Sequence, residues 1–360
     1  MYRKLKNDKL ENQKIMKNKT QSFSILLIFC LSFFFLTSCN SSTNSSNNDS
    51  DLLLEKINTA GRLNVGFEPD APPLYFEESG TKKGFDYELI SFLSKEVFDG
   101  VKISAIEDGY DQLPNYLQEG KIDIMAGGRT DEENEDELYS ESYLSFGYCL
   151  LTTPSSSDKF RDLSSLRNAR IGVYDDYTAQ WIKEKVPSSN ISIIGDREEE
   201  STPTSDWMSG LVKGEFDAII YDYPFGANEI EDYNSKIVIS NKNLNGEDLN
   251  NYVLVVNKRT PGAGDLLIKI NDAIQKFKRS EKYSDAIAEY IPNSNAKNIS
   301  NINPADSYTI QKGETLSIIA RDKMGDVTRW SEIYNLNKDI LASPDIIYSG
   351  QIIRKPSGWN

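Results

Sequence analysis

The chain has 360 residues, of which 26% are charged and 38% hydrophobic, and its formal net charge is −15 at pH 7. It contains no histidine, which excludes Ser-His and Cys-His nucleophiles and histidine metal ligands. The net acidity argues against a nucleic-acid partner, because phosphate backbones are bound by basic surfaces. No catalytic motif, cofactor signature or metal-ligand pattern stands out, so we expect a binding protein and not an enzyme.

The N-terminal region has the pattern of a secretory signal. Two lysines, Lys17 and Lys19, precede a mostly apolar run over residues 25–36. That run has the length of a signal-peptide core and is too short to span a bilayer. Met16 lies just upstream, so Met1 and Met16 are both candidate starts.

Residues 36–39 read Leu-Thr-Ser-Cys and end this run. They resemble the lipobox of bacterial lipoproteins, in which a peptidase cleaves before a cysteine that carries a diacylglycerol. The resemblance implies lipidation of Cys39 and anchoring to a membrane of the cell envelope; the alternative is an ordinary signal peptide with a chance cysteine. After cleavage Cys149 would be the one other cysteine, so we expect no disulfide.

Strand and helix patterns alternate in the middle of the chain. Residues 63–67, 101–106 and 122–126 read as strands, and apolar residues recur at helical spacing between the first two. Such βαβ alternation predicts a parallel sheet, and ligands bind at the carboxyl ends of its strands. Glu68, which directly follows the first strand, is therefore a candidate ligand-binding residue.

Two segments carry a resemblance to a known family. Residues 70–76 (Asp-Ala-Pro-Pro-Leu-Tyr-Phe) and 84–89 (Gly-Phe-Asp-Tyr-Glu-Leu) resemble the signature of the bacterial family 3 extracellular solute-binding proteins, the polar amino-acid binders of ABC importers. The loop of that signature faces the ligand, which implies ligand contacts for Tyr75 and Phe76. The resemblance covers about residues 52–291 and implies the two-lobed α/β fold of type II periplasmic binding proteins, with an ABC permease as partner.

The loop at residues 127–135 departs from the family pattern. In the family it reads roughly Gly-x-Thr-x-Thr-x-x-Arg, and the first Thr and the Arg hold the α-carboxylate of the ligand. Thr130 falls on the first Thr, but Glu135 stands in the place of the Arg. Either Arg129 supplies a substitute guanidinium, or the ligand lacks a free α-carboxylate and offers amines or hydroxyls. We predict the second, because a carboxylate facing Glu135 would be repelled and desolvated.

Two further positions align with ligand contacts of the family. The strand before Asp222 matches the family's Asp-Ala-hydrophobic-hydrophobic-x-Asp pattern, which implies that Asp222 accepts the ammonium group of the ligand. The structural alternative is that Asp222 caps the next helix. Thr178 is a candidate pocket residue and is expected to be the N-cap of a helix that begins at Ala179, while Tyr177 is a candidate pocket-lining ring.

The tail carries a second motif. Residues 308–320, 330–337 and 346–353 resemble a LysM module, a βααβ fold that binds N-acetylglucosamine-containing glycans such as peptidoglycan. The resemblance implies binding through the loop after the first strand and the loop before the second; the alternative is a structural or protein-contact role. The implied glycan-binding residues are Gly313, Glu314, Thr315, Leu316, Asp339 and Ile340.

The patterns together predict five segments. They are a signal peptide at 1–38, a flexible tether at 39–51, a solute-binding domain at 52–291, a linker at 292–307 and a LysM domain at 308–357. Lobe 1 is expected to cover about residues 52–148 and 252–291, and lobe 2 about residues 149–251.

Three classes of function compete. The leading hypothesis is a lipid-anchored, wall-attached protein of the cell envelope that closes two lobes around a small polar, amine-bearing solute. The second is a cell-wall sensor or scaffold that binds peptidoglycan fragments without transport. The third is an enzyme on this fold, as in periplasmic cyclohexadienyl dehydratases, although no motif in the chain singles it out.

Overall fold

The computed structural model describes residues 52–131, 134–194, 204–233, 235–292 and 304–359. The predicted signal peptide, the predicted lipidation site Cys39 and the tether lie outside these residues. Within the described ranges, no helix combines the length and the apolar character needed to cross a membrane.

The first lobe is built on a mixed five-stranded sheet covered by helices. Its N-terminal elements are α1 (Leu52–Ala60), β1 (Arg62–Phe67), β2 (Phe76–Glu78), β3 (Thr81–Lys83), α2 (Phe85–Val97), β4 (Lys102–Glu107), α3 (Leu113–Gln118), β5 (Ile124–Met125) and β6 (Glu137–Tyr139). β1 lies between β4 and β5 and is parallel to both, as the βαβ pattern predicts. This arrangement brings the carboxyl ends of β1 and β5 to one edge of the sheet.

The signature segment joins the aromatic loop to helix α2. The backbone N–H groups of Phe85 and Asp86 donate to the carbonyls of Pro73 and Leu74, each at 2.9 Å, so the loop satisfies donors that the first helical turn leaves open. Gly84 has φ of 115°, and a Cβ there would run into the Leu74 carbonyl. Only glycine fits this approach without strain.

The second lobe is a separate five-stranded sheet in the middle of the chain. Its segment contains β7 (Leu144–Phe146), β8 (Tyr148–Thr152), β9 (Arg170–Val173), α4 (Asp176–Lys185), β10 (Asn190–Ile193), α5 (Thr204–Lys213), β11 (Ala218–Asp222), α6 (Tyr223–Glu229), β12 (Val238–Asn241) and β13 (Asn250–Tyr252). The sheet order is β10-β9-β11-β8-β12, with β9 parallel to β10 and β11. Cys149 lies in β8 as a buried free thiol.

The chain crosses between the lobes twice. β7 and β13 pair antiparallel as a two-stranded ribbon, and β8 and β14 (Val255–Asn257) continue on the two sides of the crossing. The sequence predicts single strands over 145–151 and 252–258, but each is two short strands because the chain changes sheets within it. After β14, helices α7 (Ala263–Lys278) and α8 (Glu281–Tyr290) return to pack on lobe 1.

The C-terminal module has the predicted βααβ order. It consists of β15 (Ser307–Thr309), α9 (Leu316–Met324), α10 (Trp330–Leu336) and β16 (Ile352–Arg354), and β15 pairs antiparallel with β16. Thr315 is the N-cap of α9, and its hydroxyl accepts a hydrogen bond from the Ile318 N–H at 3.2 Å. The module buries its own apolar cluster, which includes Leu316, Ile319 and Ile333.

Candidate functional site

Several predicted residues follow the carboxyl ends of strands. Glu68 follows β1, Arg129 and Thr130 lie in the loop after β5, and Asp222 is the last residue of β11. Tyr252 of the crossing ribbon links the loop after β5 to Asp222. It forms a β-bridge with Thr130 on one side, and its hydroxyl donates to Asp222 Oδ2 at 2.9 Å on the other. The structure therefore brings Arg129, Thr130 and Asp222 together around the crossing.

Asp222 is a partly buried carboxylate with one internal donor among the described residues. It occupies the N-cap position of α6, yet its side chain makes no capping hydrogen bond, so the structural alternative is wrong. Burial raises the pKa of Asp222 to about 7; the bond from Tyr252 opposes this rise, and the nearby Asp175 adds to it. A positive charge placed against Asp222 would offset the cost of its burial.

Glu68 lies partly buried on the lobe 1 side of the same cleft. Burial raises the pKa of Glu68, the Arg129 guanidinium lowers it, and Asp111 raises it again. Glu68 also acts across the cleft: burial is the main reason that the pKa of Tyr221 is raised, and Glu68 is among the groups that add to it. Tyr221 directly precedes Asp222 in β11, so Glu68 acts on the end of the strand that carries Asp222.

Arg129 is 6% exposed and is already engaged within lobe 1. Its guanidinium carbon lies 3.4 Å from the centroid of the Tyr110 ring, in a cation–π arrangement, and its terminal NH2 group donates to the Tyr110 carbonyl. Its charge also acts on Glu68. Nε of Arg129 is buried and has no hydrogen-bond partner among the residues described. Glu135, at the family's Arg position, is exposed.

Asp86 holds the loop that carries Arg129 in place. This signature carboxylate is fully buried, and its Oδ2 accepts from the N–H groups of Gly127 and Gly128 at 2.8 and 3.2 Å. It also accepts from the Tyr143 hydroxyl at 2.9 Å. Burial raises the pKa of Asp86 to about 6, while these three donors oppose the rise. Asp86 is therefore a positioning residue and does not face the cleft.

The aromatic pair of the signature has partners inside lobe 1. Tyr75 is 1% exposed, stacks on Phe67 with ring centroids 4.1 Å apart, and donates its hydroxyl to Glu107 at 2.5 Å. Phe76 meets Tyr290 of α8 edge-on at 6.2 Å. Contrary to the expectation of two pocket-facing rings, both side chains are used in lobe 1 packing.

The two candidate pocket residues of lobe 2, Tyr177 and Thr178, differ in exposure. Tyr177 is 72% exposed, whereas Thr178 is 4% exposed and its side chain hydrogen-bonds Tyr148. The prediction that Thr178 caps the helix is wrong: α4 begins at Asp176, and the side chain of Asp175 accepts from the Thr178 N–H at 2.7 Å. An aspartate three residues ahead of the N–H it caps is the signal that would have identified Asp175.

The implied glycan residues of the LysM module mostly serve its own fold. Glu314 accepts from the Tyr308 hydroxyl and the Gln311 N–H, both at 2.6 Å. Asp339 forms a two-point ion pair with Arg354 at 2.6 and 2.8 Å. Thr315 caps α9, Leu316 is buried, and the partly buried Ile340 packs on the apolar cluster and donates its N–H to the Asn337 carbonyl at 2.9 Å.

Tyr252, Asp175 and Tyr110 were not predicted as site residues. Tyr252 lies 30 residues from the Asp222 that it contacts, and Tyr110 lies 19 residues from Arg129. Contacts at such separations leave no periodic signal in the sequence. Only the position of Tyr252 on the strand that returns to lobe 1 pointed toward the crossing.

Comparison with known sequences identifies both parts of the chain. The model of the bacterial extracellular solute-binding proteins, family 3, matches residues 63–293, and the LysM domain model matches residues 308–356. A probable histidine-binding protein of Campylobacter jejuni is 30% identical over 173 residues, which are 46% of this chain and 64% of that protein. The L-cystine-binding protein TcyJ of Escherichia coli K12 is 25% identical over 231 residues, 63% of this chain and 81% of TcyJ.

Solved structures share the fold. A crystal structure of a mutant of ArgBP from T. maritima superimposes with a TM-score of 0.52 at 24% identity, covering 66% of this chain and 99% of that one. An ancestral cationic amino acid solute-binding protein gives a TM-score of 0.56 at 23% identity, with 66% and 99% coverage. The two lobes, the cleft at the strand ends and the matched family model lead to one conclusion. The chain belongs to family 3 of the bacterial extracellular solute-binding proteins and also carries a LysM domain.

Proposed function

We propose that the protein captures a small solute that carries a cationic amine, and that Asp222 and Glu68 are the anionic groups that receive it. The observation that carries the proposal is the state of Asp222. It lies at the end of β11 and is partly buried, its side chain makes no capping hydrogen bond to α6, and burial raises its pKa to about 7. An ammonium group would replace the hydration that this carboxylate has lost.

The charge balance around the cleft supports a cationic ligand. The groups that influence Asp222 and Glu68 are two further carboxylates, Asp175 and Asp111, and one guanidinium, that of Arg129. Arg129 is stacked on Tyr110 and acts on Glu68. A ligand carboxylate would therefore meet little uncommitted positive charge, so we propose a solute without a free α-carboxylate. The relatives named for histidine and cystine support an amine-bearing solute in general.

Matched ligand pairs test this proposal. Arginine with agmatine, lysine with cadaverine and ornithine with putrescine differ only in the α-carboxylate. Calorimetry should show at least one of the amines binding about tenfold or more tighter than its amino acid, which corresponds to about 1.4 kcal/mol. Tight binding of the amino acids alone would leave solute capture standing and overturn the predicted ligand class.

We further propose that the protein is lipid-anchored and wall-attached. Support comes from the lipobox-like residues 36–39 and from the LysM match. Cys39→Ala should move the protein from the membrane fraction to the soluble fraction, whereas Cys30→Ala, in the predicted signal core, should not. Membrane retention of the Cys39→Ala protein would remove the lipid anchor from the proposal. Sedimentation with purified peptidoglycan tests the wall attachment separately.

Two roles remain open for a protein that captures a solute. It delivers the solute to an ABC permease, or it acts as a sensor or scaffold without transport. Contacts between the LysM module and the solute-binding part support the second, since they give the two parts a physical link through which solute capture can affect the module. Uptake of labelled solute by cells with and without the gene separates them: lost uptake indicates transport, and unchanged uptake indicates a sensor or scaffold.

A further inference from the structure

The LysM module is packed against the solute-binding part through Asp345. The Asp345 side chain accepts from the Ser145 N–H and pairs with Lys278 Nζ, each at 2.9 Å. Its carbonyl accepts from the Tyr283 hydroxyl at 3.1 Å. Ala342 and Ile346, on either side of it, are buried in the same apolar cluster as the lobe 1 core. One short loop of the module thus has both a polar and an apolar anchor.

These contacts reach both lobes and the crossing. Ser145 belongs to β7 of the crossing ribbon, and Lys278 lies at the end of α7, which packs on lobe 1. Between β12 and β13, Asn243 donates to the Tyr334 hydroxyl at 2.9 Å and Glu247 pairs with Lys338 at 2.7 Å. Rotation of one lobe against the other would therefore strain or break some of the contacts to the module.

The surface used for this packing includes both loops that the LysM resemblance implies for glycan. The second loop, residues 339–346, contains Asp345 and Ile346. In the first loop, Lys312 pairs with Asp285 of α8 at 3.0 Å, and a Cβ on Gly313 would lie 3.3 Å from Glu281 Cγ. Helix α8 therefore lies against the first of the two loops at Lys312 and Gly313.

We infer that the glycan-binding face of the LysM module is held closed by the solute-binding part of the same chain, so that glycan binds only after the module has undocked. The inference rests on the proposed glycan binding. The apparent glycan affinity is then the intrinsic affinity reduced by the fraction of undocked protein. By reciprocity, glycan binding releases the module from the two lobes and the crossing.

Single substitutions on the two sides of the docked surface test the inference in the full-length protein. Asp345→Ala removes the ion pair and the bond from Ser145. Lys278→Ala weakens the same contact from outside the module, so it cannot alter the glycan site directly. Each should tighten binding to N-acetylglucosamine tetramer and to peptidoglycan by roughly threefold to tenfold, the range for one charged hydrogen bond or ion pair. X-ray scattering should show a more extended chain.

The matched control is Lys276→Ala. Lys276 lies on the same helix as Lys278 but pairs with Glu96 of lobe 1, at 3.2 Å, so its loss should leave glycan affinity and scattering unchanged. Wild type and both docking variants binding glycan with equal affinity would overturn the inference. Absence of glycan binding in every folded variant would instead remove the proposed glycan function, and the inference with it. If the Asp345→Ala protein does not fold, the Lys278→Ala variant alone tests the inference.

Discussion

Two aspartates, Asp86 in lobe 1 and Asp222 in lobe 2, differ in burial and in the hydrogen bonds that they accept, and we propose a structural role for the first and a ligand-binding role for the second. Asp86 in lobe 1 accepts three hydrogen bonds, from Gly127, Gly128 and Tyr143. Asp222 in lobe 2 accepts one, from Tyr252. Burial raises the pKa of both side chains, to about 6 for Asp86 and to about 7 for Asp222.

The number of internal donors explains the difference. Backbone N–H groups that donate to a carboxylate favour its charged form, and they fix the loop that supplies them. Asp86 thereby holds the glycine turn ahead of Arg129. Asp222 accepts one hydrogen bond at the end of β11, and we propose that a ligand supplies further stabilisation of its charge. The comparison predicts that substitution of Asp222 reduces binding, whereas substitution of Asp86 reduces stability.

The largest effect is expected for Asp222→Asn. The amide keeps the size of the side chain but removes the charge, so affinity for a cationic amine should fall by about 3 to 5 kcal/mol. Calorimetry with the best amine of the matched pairs measures it. Asp272→Asn, at an exposed position of α7, is the control and should bind like wild type. Unchanged affinity in Asp222→Asn would remove this residue from the site.

Asp86→Ala should lower the free energy of unfolding by about 3 kcal/mol, because it leaves two backbone N–H groups and the Tyr143 hydroxyl without their acceptor. Urea denaturation measures the change. Asp86→Asn retains one acceptor oxygen and should cost less, and Asp272→Ala should change stability by less than about 0.5 kcal/mol. An Asp86→Ala protein as stable as wild type would contradict its positioning role.

The pH dependence of binding should follow Asp222. Its pKa of about 7 means that the ligand-free site loses its charge as pH falls below 7. Affinity for a cationic amine should therefore drop about fivefold from pH 7 to pH 6 and about tenfold from pH 6 to pH 5, or about 2.3 kcal/mol in all. The Tyr252 hydroxyl and Asp175 act on the Asp222 carboxylate. Asp222→Asn should flatten the profile; an unchanged profile in that variant would assign the dependence to Glu68.

The free energy of unfolding of the ligand-free protein should change with pH in the direction opposite to the binding affinity. The folded state keeps the proton on Asp222 up to about pH 7, while the reference value of 3.8 describes its release from the unfolded chain. The free energy of unfolding should therefore fall as pH rises from about 4 to 7. Asp86, with a pKa of about 6, acts in the same direction. Denaturation curves without ligand at pH 5 and pH 7 measure the difference, which Asp222→Asn should reduce.

Arg129→Ala should have the smallest effect on binding of an amine, below about 1.4 kcal/mol, because the guanidinium is stacked on Tyr110 and its charge repels a cationic ligand. Calorimetry on this variant and on Asp222→Asn shows which of the two residues contributes more to binding. An α-amino acid that binds tightly to wild type and not to Arg129→Ala would reverse the ranking. The Nε atom without a partner would then be the group that receives its carboxylate.

Local sequence patterns were sufficient to predict most of the helices and strands, but not the points where the chain passes from one sheet to another. The apolar spacing of α2 and the strand–helix alternation of lobe 1 predicted elements that the structure contains. The strands at the crossing were predicted as continuous because both halves are apolar, and nothing in their composition marks the change of sheet. The cap of α4 was assigned to Thr178 and belongs to Asp175, since neighbouring residues of both types are good caps.

The sequence by itself determined the family, the two-lobed α/β fold, the LysM module and the position of Asp222 at a strand end. Motifs and hydrophobic periodicity encode these features within short stretches of chain. Only the tertiary structure decided that Tyr75 is packed on Phe67, that Tyr110 engages Arg129, and that Asp345 reaches Ser145 across 200 residues of sequence. Partners so far apart are chosen by packing and charge in the folded state, and no local pattern records them.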